Sequence, residues 1–398
     1  MRVIRGWLHR RSGRRAAVTA ATLRRRGQLL LDMGRVGDAE QVLAEAVRVA
    51  GAAHGPDAAP TLAARMARVV ALSRGQRLAE AEAEVRDVLR RCPDSAEVPE
   101  RWAAEVQLAL ARVLRGRARY AEAEAEARGV LERGVESVAP PANATANEAR
   151  ILLAEVIGAQ GRHSEAVRSY DSLIESLEPG CPVGLRARLG RAVHVNYLGR
   201  HAEAAAEDRA LGEAAIATAW SGAAQLRLSA QHNLVLALGD LGLRQEAEEL
   251  ARAGMASAVR RGPNFGRYVF LFQVALAHLL SARGEHAEAL RSAEQALAAR
   301  PEGARLIDDA DRAGAVRAAA LLGLGRAAEA VDLARAILDR HRAWFGPAHH
   351  RTLTAETLLG RCLTGAGDDD EARELLLANA AAWREHFGAD LVPAPPGA

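Results

Sequence analysis

At 398 residues the chain is too long for one ordinary core, so it is either several domains or a repeat array that lengthens without thickening. Hydrophobic residues make up 49 % of it and aromatics only 4 %, and a chain dominated by Ala, Leu, Arg and Glu excludes a β-rich fold in favour of closely packed helices. Its formal charge of +3 divides into nine arginines between Arg2 and Arg26 and an acidic remainder; with no lysine anywhere, a GC-rich coding sequence accounts for much of the arginine, and the pI of 9.0 is a weak pointer to nucleic acid.

In chain order the first segment is a basic arm, residues 1–15, which either touches phosphate or an anionic membrane or is a solvated leader. The AAVTAATL stretch after Arg15 is too short and polar for a secretory hydrophobic segment. No run approaches the ~20 apolar residues of a membrane span, so a soluble, cytoplasmic protein without a transmembrane segment is expected. Cys92, Cys181 and Cys362 are odd in number and far apart, which fits small buried or semi-buried thiols and neither a disulfide framework nor a zinc knuckle.

From residue 16 onward one short word recurs: GRVGDAE, GRHSEAV, GRHAEAA, GLRQEAE, GEHAEAL, GRAAEAV and GDDDEAR. The acid falls at Asp38, Glu165, Glu203, Glu246, Glu288, Glu329 and Glu371, and two copies without the glycine sit at Glu80 and Glu122, so successive spacings are 42, 42, 43, 38, 43, 42, 41 and 42. Nine units at one period predict nine helical hairpins. The glycine ends helix A, the acid meets the positive pole of helix B, and the alanine after the acid lets the two backbones approach. Twelve residues before each such alanine stand Gly27, Val69, Ala111, Ala154, Ala192, Val235, Ala277, Ala318 and Gly360, seven of them glycine or alanine, as close packing in mid helix A requires.

These features resemble the tetratricopeptide repeat family, and the ~42-residue period resembles its kinesin-light-chain type, found in many bacterial proteins. GPDAAPTL from Gly55 and GPAHHRTL from Gly346 are similar to the linker of that type; proline stops helix B and threonine is expected to cap the next helix A. The resemblance implies an all-α, right-handed superhelical solenoid of antiparallel helix pairs. Its nine repeats are expected at about 16–55, 56–97, 98–140, 141–181, 182–218, 219–263, 264–302, 303–346 and 347–388, before a Pro-rich tail at 389–398. It also implies a concave groove for a protein or peptide partner, lined by Arg112, Arg115, Glu148, Glu155, Asn196, Tyr197, His232, Asn233, Asp240, His278 and Arg361, with Asn233 resembling the asparagine that holds an extended ligand's backbone.

Chemistry has little to stand on. His349 and His350 in WFGPAHHRTL invite a metal, but adjacent residues on a helix point about 100° apart, the nearest further ligands are Cys362 and Asp368, Asp369 and Asp370, and no H-E-x-x-H accompanies them; linker packing is expected. The turn histidines His163, His201 and His286 are about 40 residues apart and are expected as exposed or stacked turn residues far from one another. No P-loop, dinucleotide loop, G-x-S-x-G or paired-carboxylate motif is present, so a non-enzymatic scaffold without cofactor or metal is expected. The alternatives are a peptide-sensing regulator whose basic arm contacts nucleic acid, a partner otherwise disfavoured, and an accessory protein of a biosynthetic pathway. REHFG at Arg384 to Gly388 repeats RAWFG at Arg342 to Gly346 without a further helix A, which leaves the last apolar face to the tail, to solvent or to a homodimer.

Overall fold

The computed structural model describes residues 18–91, 100–133, 144–218, 220–299 and 306–387; the basic arm, Cys92, the connector around Pro140 and the C-terminal tail lie outside them. Among the described residues there are eighteen α-helices and no strand. The A and B helices alternate as α1 (18–32) and α2 (Val36–His54), α3 (Ala59–Arg74) and α4 (Leu78–Arg91), α5 (Glu100–Gly116) and α6 (Tyr120–Glu132), α7 (Ala144–Ala159) and α8 (His163–Glu175), and α9 (Pro182–Tyr197) and α10 (His201–Ala217). They continue as α11 (Ala223–Asp240) and α12 (Arg244–Arg261), α13 (Gly266–Ala282) and α14 (His286–Ala298), α15 (Leu306–Gly323) and α16 (Ala327–Phe345), and α17 (His350–Ala366) and α18 (Asp369–Phe387). The chain is thus an all-α helical repeat protein.

One turn chemistry closes every hairpin. The residue just before the B helix returns its N–H to a carbonyl five residues back, as from Arg35 to Leu30 at 2.8 Å, Arg77 to Leu72 at 2.9 Å and Asp368 to Leu363 at 3.0 Å. This consumes a carbonyl that the end of helix A would otherwise leave bare. The geometry needs a left-handed residue, and Gly34, Gly161, Gly199, Gly242, Gly284, Gly325 and Gly367 supply it with φ between 74° and 87°. In the two units without a glycine, Gln76 and Ala118 adopt the same conformation at φ 59° and 58°, because the packing on either side dictates the turn.

The acid of the repeat word has a partner that spacing alone did not reveal. In six units the arginine just before helix B bridges to the acid three residues on: Arg35 to Asp38, Arg77 to Glu80, Arg119 to Glu122, Arg162 to Glu165, Arg200 to Glu203 and Arg326 to Glu329, at 2.5–2.7 Å. The carboxylate therefore meets a guanidinium as well as the helix pole. Where leucine or aspartate replaces that arginine, Glu246 and Glu371 pair instead with Arg209 and Arg335 of the preceding B helix, each at 2.7 Å.

The small residues pack as their spacing predicts. Ala39, Ala81, Ala123, Ala166, Ala204, Ala247, Ala289, Ala330 and Ala372 are all buried, as are their nine helix-A counterparts from Gly27 to Gly360. A methyl group on Gly27 would lie 2.5 Å from the Leu43 side chain, and one on Gly360 would lie 2.6 Å from Leu376, so these backbones approach more closely than alanine permits. The linker threonines correct the capping expectation. Thr61 and Thr352 lie inside the first turn of α3 and α17, and their hydroxyls donate to the Gly55 and Gly346 carbonyls at 2.8 and 2.7 Å. Residues Ala58 and His349 occupy the cap positions instead.

The chain forms two compact units, residues 1–156 and 157–398. In the first, a core around Leu62, Leu72, Leu110, Leu114 and Val130 runs through α3 to α7. In the second, successive cores center on Leu228 and Phe272, on Phe270 and Ala296, and on Ile337 and Leu363. One expectation about apolar runs is corrected here: Pro263–Ala282 is 20 residues of mean hydropathy 1.3, long and apolar enough to cross a membrane, although Arg267, Gln273 and His278 break it into short runs. Within the second unit this segment is a core helix, with Phe270, Phe272, Leu276 and Leu280 buried.

Candidate partner-binding face and histidine junction

The residues expected to line a groove separate into three groups. In the first unit Arg112 of α5 pairs with Glu148 of α7 at 2.7 Å, and Arg115 pairs with Glu155. The charges alternate in sign from one A helix to the next, so this face has no single dominant sign.

In the second unit Asn196, at the end of α9, donates from Nδ2 to Asp240 at the end of α11, 3.1 Å away, and its Oδ1 lies 2.8 Å from His201 Nδ1. His201 in turn lies 3.6 Å from the Asp240 carboxylate. His278 of α13 reaches solvent, yet surrounding protein lowers its pKa by desolvation, and the fields of Arg244 and Arg361 add to this against Asp240. Four of the expected residues, Asn196, Asp240, His278 and Arg361, thus come from four different A helices into one electrostatically connected, solvent-accessible track.

Two expected groove residues are corrected. His232 is buried against Phe272, 5.8 Å between ring centroids, and burial pushes its pKa down to about 3. Asn233 turns its side chain to Asp208, a carboxyl buried between α10 and α11 whose pKa burial raises to about 8, with Glu207 adding to the rise. The amide expected to hold a ligand backbone therefore has an internal partner. Tyr197 remains partly open, but one ring face stacks on His163 at 4.7 Å. His232 and Asn233 lie at the margin of the A-helix stripe, where a rotation of some tens of degrees exchanges groove for core.

The paired histidines of WFGPAHHRTL contact the turn of α7 and α8, some 190 residues away in sequence. The His349 ring bonds the Ala159 carbonyl, and its Nδ1 accepts the Arg351 N–H at 3.2 Å. His350 packs edge-on against His163 at 4.9 Å and Tyr197 at 5.1 Å. Phe387 of α18 packs against Gly161, where an added methyl would lie 2.8 Å from the ring. His163 Nδ1 lies 3.1 Å from His194 Nδ1, while His163 Nε2 and both nitrogens of His350 have no hydrogen-bond partner.

Burial therefore holds all three rings neutral. The pKa falls to about 3 for His163 and about 4 for His194, and well below the ordinary value for His350; His349 and Arg351 add positive field at His163 and His350. His163 is thus neither exposed nor far from other histidines, because a distant repeat delivers His350 to its turn. The other two turn histidines also face the following A helix: His201 faces Asp240, and the His286 ring abuts Gly323. Among the described residues no three His, Cys, Asp or Glu side chains are grouped to hold a metal ion. Burial raises the Cys362 thiol to about 11, and Cys181 caps α9 with its sulfur 3.3 Å from the Gly184 nitrogen.

Tandem helix pairs with left-handed turns, small residues at each crossing and a polar track along the A helices define a repeat protein of the interaction type. Models of the tetratricopeptide repeat match residues 24–96, 153–223 and 313–378, together more than half of the chain, and the chain belongs to that family. No curated protein matches it. Among solved structures it is similar to a Rap protein complexed with competence and sporulation factor, at 13 % identity and TM-score 0.62 over 94 % of this chain and 99 % of that one. It is similar also to aspartyl phosphate phosphatase F from Bacillus subtilis, at 11 % identity and TM-score 0.55 over 94 % and 95 %. A Podosopora anserina putative kinesin light chain of TPR-like repeats matches 50 % of this chain and 95 % of its own at 25 % identity and TM-score 0.36. For the Rap protein and the phosphatase the likeness is one of fold.

Proposed function

We propose that the protein is a non-enzymatic scaffold that binds a protein or extended peptide along the exposed face of its A helices. The observation that carries this is the track formed by Asn196, Asp240, His278 and Arg361, which offers donors and acceptors from four repeats on one accessible line. An extended backbone crossing the track would meet hydrogen-bonding groups from α9, α11, α13 and α17, an arrangement suited to reading a segment without regular structure. Arg112, Arg115, Glu148 and Glu155 supply a second, charge-alternating stretch within the first unit. Contact between the basic arm and nucleic acid is no part of this reading, since residues 1–15 lie outside the described residues. Nor is a homodimer through the last repeat: Trp383 is buried and Phe387 is spent on Gly161 of the same unit.

The test is affinity capture from the native host with the wild-type chain and with Asp240→Ala combined with Arg361→Ala. Both chains are first matched for helical circular dichroism. Proteins enriched by the wild type are expected to be lost from the variant; an identical set captured by both would overturn the assignment.

A further inference from the structure

A cavity of about 370 Å³ lies along α11 and α12, toward the end of the pair away from the Gly242 turn, lined by Arg227, Gln231, Ala253, Ser257, Arg260 and Arg261. Three guanidinium groups and no carboxylate line it. On the neighbouring stretch of these helices, by contrast, Arg209 is matched to Glu246 at 2.7 Å and Arg252 to Glu248. Among the described residues Arg227 and Arg260 form no ion pair or hydrogen bond, and Arg261 makes only a ring contact, 5.7 Å over Phe265.

The C-terminal pole of α12 accounts for Arg260 and Arg261, since cations favour that end of a helix. It does not account for Arg227, which stands in the second turn of α11, where the helix pole is already positive. Gathering three like charges is uphill by Coulomb's law even where solvent screens them, as it does these exposed side chains, and among the described residues no carboxylate pairs with Arg227 or Arg260. The wall is also built: Gln231 is held in place by its bond from Nε2 to the Leu250 carbonyl at 2.8 Å, and Ser257 adds a hydroxyl donor.

We propose that this cavity binds the phosphoryl group of a small phosphate monoester. Arg227, Arg260 and Arg261 supply the guanidinium donors and Ser257 supplies a hydroxyl. Guanidinium forks match the tetrahedral oxygens of phosphate two at a time, and a dianion cancels most of the charge that the three arginines gather. The volume falls within the range of small-molecule sites and leaves room beyond the phosphate for a group of sugar size. The site is independent of the A-helix track and stands whether or not that track binds a peptide.

Isothermal titration of the full chain at low ionic strength, with inorganic phosphate, AMP and adenosine, tests it. Phosphate and AMP are expected to bind saturably and adenosine not at all; tighter binding of AMP identifies an ester, and equal binding identifies the free anion. Arg227→Gln combined with Arg260→Gln is expected to weaken binding at least about tenfold. Arg24→Gln combined with Arg25→Gln, which removes the same charge from exposed positions on α1, is expected to leave it unchanged. Circular dichroism confirms that both variants fold. No saturable binding of phosphate or AMP below roughly 10 mM, or equal weakening by the two double variants, would overturn the proposal.

Discussion

The left-handed turn offers a test in which one free-energy difference should appear with both signs. Ala118 adopts φ 58° where seven other units have glycine, and Gly242 adopts φ 76° with no atom within 4 Å of the place a Cβ would occupy. An L-residue in this region costs roughly 1–2 kcal/mol. Glycine gives back about 0.5–1 kcal/mol through the greater freedom of its unfolded chain. The difference, about 0.5–1 kcal/mol in favour of glycine, should stabilise the α5–α6 turn in Ala118→Gly and destabilise the α11–α12 turn by a like amount in Gly242→Ala, since no clash adds to the second change. Hydrogen exchange of the intact chain followed by mass spectrometry reads this locally. Exchange of peptides spanning 113–123 should slow about two- to fivefold in the first variant, and that of peptides spanning 238–248 should quicken by the same factor in the second. Faster exchange in Ala118→Gly, or slower in Gly242→Ala, would show that the turns are not set by backbone conformation.

Two further predictions concern buried titratable groups. The folded pKa values of His163 and His194, about 3 and 4, lie below the ordinary 6.5, so the unfolded chain binds more protons and stability present above pH 6.5 is lost as pH falls toward 4. At pH 5 each ring withdraws about 2 kcal/mol, and exchange at 157–163 and 346–352 should rise between pH 7 and 5 once corrected for intrinsic rates; a flat profile would refute the buried junction. Asp208 has the opposite sense: a folded pKa of about 8 above the ordinary 3.8 means that stability present in acid is lost as pH rises from 4 through 8. Asp208→Asn should therefore stabilise the chain at pH 8 by up to about 5 kcal/mol, seen as a raised melting temperature, and leave it nearly unchanged at pH 4; a melting temperature lowered at pH 8 would refute a neutral buried carboxyl.

The repeat was fully legible in the sequence because its determinants are local. A glycine, an acid and an alanine within seven residues specify turn, helix start and crossing point, and seven copies state the whole instruction while two more, at Glu80 and Glu122, keep its acid and alanine. The register implied by the family resemblance named Asn196, Asp240, His278 and Arg361 together, and the structure places Asn196 beside Asp240 and His278 within the fields of Asp240 and Arg361. The arginine bridging to the repeat acid was visible too, three residues before it in six units, and a search for i,i+3 charge pairs would have found it.

Position along the period could not say which way a marginal side chain rotates. His232 and Asn233 therefore went to the core and to Asp208, and Thr61 and Thr352 tied down a linker carbonyl instead of capping a helix. Least legible of all was WFGPAHHRTL, whose frame residues are repeat punctuation but whose histidines are set by a neighbour 190 residues distant. Repetition encodes what each hairpin does with the next. The meeting of His350 with His163, and of Phe387 with Gly161, follows from small rotations summed over four intervening pairs, a quantity no single repeat contains and only the tertiary structure decides.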